Sequence, residues 1–316
     1  MLKVLLTNDD GIQSAGIRQL ALRLARHCEV SVVAPSTPSS ATSHSITLHK
    51  PLRLLPARRH GYEVEGVGGK LQAFHCSGTP GDCVMLGVMH VHKGSKPDLV
   101  ISGINDGINV AQDLTYSGTV GGALEGAVLG VPSLAVSLDR HKGGAGFDNA
   151  ALLAEAVATL LLYGMAPEGL AGDLRHWNQP AAASADGLWR IPETGLAGEL
   201  YPSPVQWWPA EHSQVPCLNV NLPDLEPRDI AGICWTSGGR REYIDVIQES
   251  RDPRGRPYYW IGGEKVLTDS DKPGCDLWAL KRKLISVTPM TYDITSLRQL
   301  RSFREQAERS TVSKGQ

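Results

Sequence analysis

The chain has 316 residues, 41% of them hydrophobic and 20% charged, with a formal net charge of -2 and a pI near 6.6. That balance is ordinary for a globular protein and excludes a basic nucleic-acid-binding field spread over the chain. No apolar run approaches the roughly 18 residues of a membrane span, and Met1-Leu2-Lys3 lacks the charged-then-apolar layout of a signal peptide. Leu2 to Thr7 reads as a buried strand, ended by the turn at Gly11 in Asn8-Asp9-Asp10-Gly11. Behind Ser14, a cap residue, Ile17, Leu20, Ala21, Leu24 and Cys28 recur at helical spacing. Glu29 to Ala34 then gives a second strand, closed by Pro35. Strand, helix and strand within about 30 residues make a βαβ unit, so a Rossmann-like core is expected.

Residues 35 to 45 form a loop rich in Ser, Thr and Pro, followed by strand-like pieces at Ser45–Leu48, Leu52–Leu55, Tyr62–Val67 and Leu71–Cys76 that read as attached hairpins. Thr79-Pro80 opens an apolar helix through His92. Asp98 to Ser102 is a short buried strand, and a glycine-rich loop leads to a helix from Ser117-Gly118-Thr119 to about Gly130. A strand at Ser133 to Leu138 and a helix at Asn149 to Tyr163 follow. From Met165 to Gln214 the composition shifts to Pro, Gly, Ala and Trp, including Trp177, Trp189, Trp207 and Trp208, and reads as an insertion. Strands resume at Cys217–Leu222, Gly232–Trp235, Tyr258–Gly262 and 285 to 288, with a terminal helix from Ser296. Its basic residues are interrupted by Glu305 and Glu308, as on a solvated face. The expected fold is therefore α/β, a mostly parallel three-layer core with attached hairpins and a C-terminal extension. Residues 1–164 are expected to form the catalytic core, 165–214 the insertion, and 215–316 the remainder of the core plus the extension.

Six cysteines, Cys28, Cys76, Cys83, Cys217, Cys234 and Cys275, contain no C-x-x-C pair. That argues against a zinc knuckle or compact disulfide framework, and reduced thiols fit a cytoplasmic location.

Two adjacent carboxylates, Asp9 and Asp10, stand where a strand opens into a loop, the edge of a parallel sheet where ligands bind. Packing gains nothing from paired like charges, so a divalent metal is the leading candidate to neutralise them; a solvated turn with a capping Asp is the bland alternative. Two further loops follow core strands: Ser39-Ser40-Ala41-Thr42-Ser43-His44-Ser45 and Ser102-Gly103-Ile104-Asn105-Asp106-Gly107-Ile108-Asn109. Converging at one crevice, the three would offer carboxylate, hydroxyl and amide oxygens, a ligand set for magnesium or manganese rather than zinc or copper. Ser117-Gly118-Thr119-Val120-Gly121-Gly122 exposes backbone N–H groups at a helix start, an anion site; close packing of the glycines is the compatible alternative. Metal beside an anion-binding helix start suggests phosphate-ester chemistry. The Walker pattern and G-x-G-x-x-G after the first strand are both absent. His44 could shuttle a proton, although a lone loop His is more often structural. Asp106 and Asp113 read first as surface carboxylates and second as holders of a water or a second metal.

The segments TNDDGI (7–12), VVAPS (32–36), SATSHSITLHKPL (40–52), SGTPGDCV (77–84), PDLVISGIN (97–105), YSGTVGGALEGAVLGVPSLAVS (116–137), LNVNLP (218–223) and ISVTP (285–289) together resemble the SurE family. These are stationary-phase survival proteins acting as metal-dependent 5′/3′-nucleotidases. The resemblance implies that Asp9, Asp10, Ser40 and Asn105 ligate one divalent ion, Mg2+ or Mn2+. It places Asn8, Ser102, Gly103, Ser117, Gly118 and Thr119 along the phosphate pocket, with Asn8, Asp9 and Asp10 as the catalytic set. It also implies a homodimer or homotetramer whose C-terminal segments reach across to a neighbour. Two departures stand out: Ser43 occupies a position where many relatives have Gly, and 165–214 is longer than in compact relatives.

The expected reaction is hydrolysis of a nucleoside monophosphate, with short polyphosphate as a further substrate implied by the resemblance. Asp9 or Asp10 would orient or deprotonate the attacking water, and the Gly118 and Thr119 amides would stabilise the transition state. One rival makes Asp9 or Asp10 a nucleophile, as in haloacid-dehalogenase-like phosphatases, but those carry D-x-D rather than adjacent acids. Another is a non-catalytic nucleotide-binding or regulatory module with the same pocket.

Overall fold

The structure, a computed structural model, describes residues 1–57, 61–62, 70–163, 188–190, 215–244, 247–261, 264–296 and 299–305. β1 (Lys3–Thr7), α1 (Ala15–Leu24) and β2 (Glu29–Pro35) form the first βαβ unit. β3 (Leu54–Pro56) and β4 (Leu71–Cys76) follow, then α2 (Pro80–Leu86), which widens into a π-helical turn at Gly87–Val91. β5 (Leu99–Asp106), a 3-10 turn (Ala111–Thr115), α3 (Gly118–Val128), β6 (Ser133–Asp139) and α4 (Gly146–Tyr163) come next. The remainder comprises β7 (Leu188–Arg190), β8 (Cys217–Pro223), β9 (Gly232–Trp235), β10 (Arg241–Ile244), β11 (Ile247–Arg251), β12 (Pro257–Ile261), β13 (Glu264–Thr268), α5 (Asp276–Lys281) and β14 (Leu284–Met290). Residues 299–305 are helical.

Ten strands make one sheet in the order β3-β4-β2-β1-β5-β6-β8-β14-β9-β7. Neighbours from β4 to β8 pair parallel, β14 enters antiparallel to β8, and β3 and β7 are antiparallel edges. The pairs β10–β13 and β11–β12 form separate antiparallel ribbons. Alternation along β1 explains the layering. Val4 and Leu6 enter the cluster shared with α1 and α4, whereas Leu5 enters the one under α2. Each such side chain contributes about 1.5–3 kcal/mol by burial. Thr79 caps α2 by bonding Asp82 N while Asp82 returns a bond to Thr79 N, and Pro80 sits in the first turn.

The Rossmann-like, mostly parallel core expected from the sequence is present, with several local differences. β4 pairs antiparallel with β3, as in the attached hairpins expected, and its other edge joins the sheet parallel to β2. Ser45–Leu48 is not a strand, because the Asp82 carboxylate takes both Thr47 N (2.7 Å) and Thr47 Oγ1 (2.6 Å), satisfying that backbone locally. Of Tyr62–Val67 only Tyr62 is among the described residues. The helix expected through His92 leaves α geometry after Leu86, and His92 N reaches back to Gly87 O. β5 runs four residues past its expected end at Ser102. Within 165–214, only Leu188–Arg190 lies among the described residues, as edge strand β7. β8, β9 and β14 extend the same sheet that β1 to β6 begin. All six cysteines are free and buried.

Candidate active site

The strand order changes direction between β1 and β5. β1 leads through α1 to β2 on one side, and β5 leads through α3 to β6 on the other. Loops leaving such a pair part to opposite faces and open a crevice at the carboxyl ends. Asn8-Asp9-Asp10-Gly11 occupies that point on β1.

Asn8 is fully buried and pins the turn: its Nδ2 donates to Gly11 O (3.1 Å) and to Ser14 Oγ (2.8 Å). Ser14 stands at the N-cap of α1, but its hydroxyl serves Asn8 instead of the helix. Asn8 Oδ1 is buried with no hydrogen-bond partner among the described residues. Asp9, 4% exposed, accepts from Thr119 Oγ1 at 2.5 Å, and its carbonyl accepts from Ser39 N at 2.7 Å. Burial pushes its carboxyl above the usual range, opposed by the Thr119 hydroxyl and by the backbone N–H groups of Asp9, Thr119 and Gly118. The N-terminal end of α3 is thus directed at Asp9. At Gly118 a Cβ would lie 2.9 Å from Asp9 Cβ, so only glycine allows this approach. Asp10 Oδ2 accepts from Asp106 N at 3.2 Å. Its carboxyl is raised from 3.8 to about 6, first by burial and then by the charge of Asp9. Among the described residues, none of the groups shifting either acid is a cation.

β5 bulges beside these acids. Ser102 pairs with Ala135 but Asn105 with Ser137, so β5 carries one extra residue there. Gly103 makes this possible with φ +138°, and a Cβ on it would strike Val136 O. Asn105 Nδ2 donates to Gly107 O (2.7 Å), which leaves its side-chain oxygen as an acceptor. Ser102 lies beneath Gly122 of α3, its hydroxyl fully buried without a partner among the described residues. Ser117 caps α3 by accepting from Val120 N (3.1 Å).

The third loop folds over α3. Exposed Ser40 sits between Ser39, tied to Asp9, and Ala41, at φ 57°. Ser43 donates from N to Tyr116 O (2.9 Å) and from Oγ to Thr115 O (2.7 Å) while holding φ 56°. That left-handed backbone is one that glycine would adopt without strain. Gly121 lets the loop lie flat, since a Cβ there would meet Ser43 O at 2.4 Å. His44 Nε2 bonds Glu125 Oε2 at 2.7 Å. Glu125 is six residues beyond Thr119 on α3, roughly 9 Å along the axis, so His44 faces away from the acids.

The first, second and third loops therefore converge. Asp113 does not join them; it pairs with Arg241 (2.5 Å). Asp106 borders the site and pairs with Arg140 (2.7 Å). Sequence reasoning passed over Thr42 and Arg140. Thr42 Oγ1 donates to Ser39 O and lies where a Gly118 Cβ would come within 2.8 Å; its signal was the hydroxyl density of its loop. The segment after β5 is clamped from afar. Asn109 N donates to Asn221 Oδ1, Asn219 and Asn221 both donate to Asn109 O, and Ala111 N donates to Asp276 Oδ2.

Carboxylate, amide and hydroxyl oxygens around an uncompensated acidic pair fit a hard divalent cation. No group of three or more His, Cys, Asp or Glu that could hold a metal ion occurs among the described residues, so a cation here would rely on amide and hydroxyl oxygens beside the two acids.

Fold and site together define a doubly wound α/β protein with an acidic, oxygen-lined crevice at its switch point. The chain belongs to the SurE family: the family model described as Survival protein SurE matches residues 4–245. A 5′-nucleotidase SurE of Geobacter sp. (strain M21) is 37% identical over 295 residues, covering 93% of this chain and 95% of its own. The 5′-nucleotidase SurE 1 of Thermus thermophilus is 37% identical, covering 93% and 94%. The crystal structure of the SurE protein from Aquifex aeolicus matches with a TM-score of 0.65 at 31% identity, over 96% of this chain and 99% of that one. Among the described residues no helix is long and apolar enough to cross a membrane.

Proposed function

We propose that this protein is a divalent-metal-dependent phosphomonoesterase that hydrolyses nucleoside 5′-monophosphates to nucleoside and phosphate. Nucleoside 3′-monophosphates and short polyphosphate are further proposed substrates. Nucleotidase activity is supported by family membership and by the relatives' names. The observation that carries the metal dependence is the Asp9–Asp10 pair, set at the switch point with no neutralising cation among the described residues. Asp9, Asp10, Asn105 and Ser40 would hold one Mg2+ or Mn2+, which when bound supplies Lewis acidity to the phosphoryl group.

The chain's own part follows from the geometry. Thr119 and the α3 N-terminus hold the Asp9 carboxylate in one orientation. Asp106 N does the same for Asp10, which places that carboxylate to orient the attacking water. The first turn of α3 lends its positive field to the point where phosphate charge builds up. A homodimer or homotetramer accompanies this reading, supported by exposed Tyr258, Tyr259, Trp260 and Ile261 on β12.

Phosphate release from a panel of 5′- and 3′-nucleotides, after chelator stripping and restoration of Mg2+ or Mn2+, tests the proposal, with Asp10→Asn as control. Metal-restored turnover that the variant lacks is expected. No turnover by folded protein with either metal would favour a binding module instead.

A further inference from the structure

Next to the acidic crevice is a cavity of about 460 Å³ bordered by Asp106, Arg140, His141, Lys142, Gly144 and Asp224. Its wall is the turn between β6 and α4, wound around the buried Asp224 carboxylate. Asp224 Oδ1 accepts from Gly146 N (2.7 Å), Oδ2 from His141 N (3.3 Å), and its carbonyl from Ala145 N (3.4 Å). The grip leaves no space for a side chain at 144, where a Cβ would fall on the Asp224 carboxylate. The charge of Asp224 is thereby turned toward backbone N–H groups, and the cavity is left with the Arg140 and Lys142 side chains on its rim.

Asp106 connects this cavity to the acids. Its backbone N–H bonds Asp10, while its carboxylate pairs with Arg140. Arg140 also stacks on Phe147, 5.0 Å from the ring centroid, which fixes its guanidinium plane. Both partners of the Arg140–Asp106 pair are about half exposed, at 47% and 48%. Such pairs contribute little, so an incoming anion can replace Asp106 on Arg140. Among the described residues the lining is charged side chains, glycines and the His141 ring, with no aliphatic side chain, Phe, Tyr or Trp. A planar guanidinium beside an ammonium suits a phosphate.

We infer that this cavity is a subsite for a second phosphate on the substrate, held by Arg140 and Lys142 while the scissile phosphate lies at Asp9 and Asp10. The ligand class is nucleosides carrying two separate phosphates, such as 3′,5′-bisphosphates. The inference rests on the phosphomonoesterase reading above.

The test compares adenosine 5′-monophosphate with adenosine 3′,5′-bisphosphate on wild type and Lys142→Gln, by steady-state kinetics with Mn2+ and by calorimetric binding to metal-stripped protein. Lys142 is exposed, so the variant keeps its fold. Removing one charge-assisted contact should lower kcat/KM for the bisphosphate about tenfold through KM and leave the monophosphate within about twofold. Calorimetry should show the bisphosphate binding tighter than the monophosphate to wild type, with the difference reduced in the variant. Equal losses on both nucleotides, or none on the bisphosphate, would overturn the subsite. If wild type turned over neither nucleotide but kept the binding difference, the phosphomonoesterase reading would fail and the subsite would stand. Equal binding of the two nucleotides would remove the subsite whatever the turnover.

Discussion

Asp10→Asn separates the intrinsic cost of the acidic pair from its benefit. The Asp10 carboxyl titrates at about 6 in the fold against 3.8 in an open chain. As pH rises through that interval, the unfolded chain releases its proton first, so the folded state loses stability and carries the full penalty above about 6. A shift of about two units corresponds to about 3 kcal/mol, which partial exposure of Asp10 reduces to about 1–1.5 kcal/mol. Asparagine removes the charge, and its side-chain oxygen can still accept from Asp106 N. In chelator at roughly neutral pH the variant should therefore melt about 3 °C higher than wild type. The two should converge as pH falls toward about 4, close to the open-chain value of 3.8, where the carboxyl is protonated in the fold and increasingly so in the unfolded chain. Mn2+ should raise the Tm of wild type and fail to raise that of the variant, whose turnover should fall about a hundredfold, the effect of roughly 2.7 kcal/mol on the barrier. Differential scanning fluorimetry with EDTA and with MnCl2 at both pH values reads the stability effects, and phosphate release reads the turnover. A variant less stable than wild type in chelator, or one that gains the full metal-induced shift, would refute the reasoning.

Gly121→Ala should gain about 1 kcal/mol of helix propensity and lose up to about 3 kcal/mol to the clash with the loop backbone, lowering urea stability by up to about 2 kcal/mol. Its Cβ would sit 2.4 Å from Ser43 O, so the Ser40 loop must withdraw, and the Mn2+ midpoint for activity should rise about tenfold, or about 1.4 kcal/mol; an unchanged midpoint would count against Ser40 as a ligand. Thr119→Val leaves Asp9 Oδ1 without its hydroxyl donor and should cost about 1.5–3 kcal/mol in urea unfolding. It should also weaken Mn2+ binding more at about pH 6 than at about pH 8, because the Asp9 carboxyl moves further upward. Ser43→Gly should relieve about 1 kcal/mol of left-handed backbone strain and lose an exposed bond of similar worth to Thr115 O. Stability and turnover would then match wild type, and a large change in either would show that one term has been misjudged.

Much of the core could be read because its signals are local. Apolar runs bounded by Gly or Pro marked β1, β2, β6 and β8, and the Thr79-Pro80 start of α2 is a short-range capping pattern. The strand expected at Gly232–Trp235 matches β9 in both bounds. What escaped depends on partners far along the chain. β4 follows an alternating pattern like a hairpin arm, and only its pairing with β2 makes it part of the parallel sheet. The strand expected at Tyr258–Gly262 is β12, one residue earlier, but its partner β11 escaped because that ribbon is exposed and lacks a buried face to impose a period, and α5 spans only six residues. At the site, the Asp9–Asp10 pair was legible from two like charges at a strand end. The turning of the α3 amides toward Asp9, and the use of Ser14 by Asn8, were not, because each needs a partner that the tertiary fold brings alongside.

The clamp on Asn109 and Ala111 bears on the order in which this protein matures. Every residue proposed to hold the ion or the scissile phosphate lies within the first 119 positions, so a ribosome delivers that whole set early. Yet the segment after Asn105 is tethered by Asn219, Asn221 and Asp276, which emerge 110 to 165 residues later. A nascent chain therefore carries its acids and their direct partners long before the clamp on Asn109 and Ala111 can form. Competence is in this way conditional on completing the sheet through β8 and seating α5. Damage to that distant half should read out as loss of catalysis before it reads out as loss of the first βαβ unit.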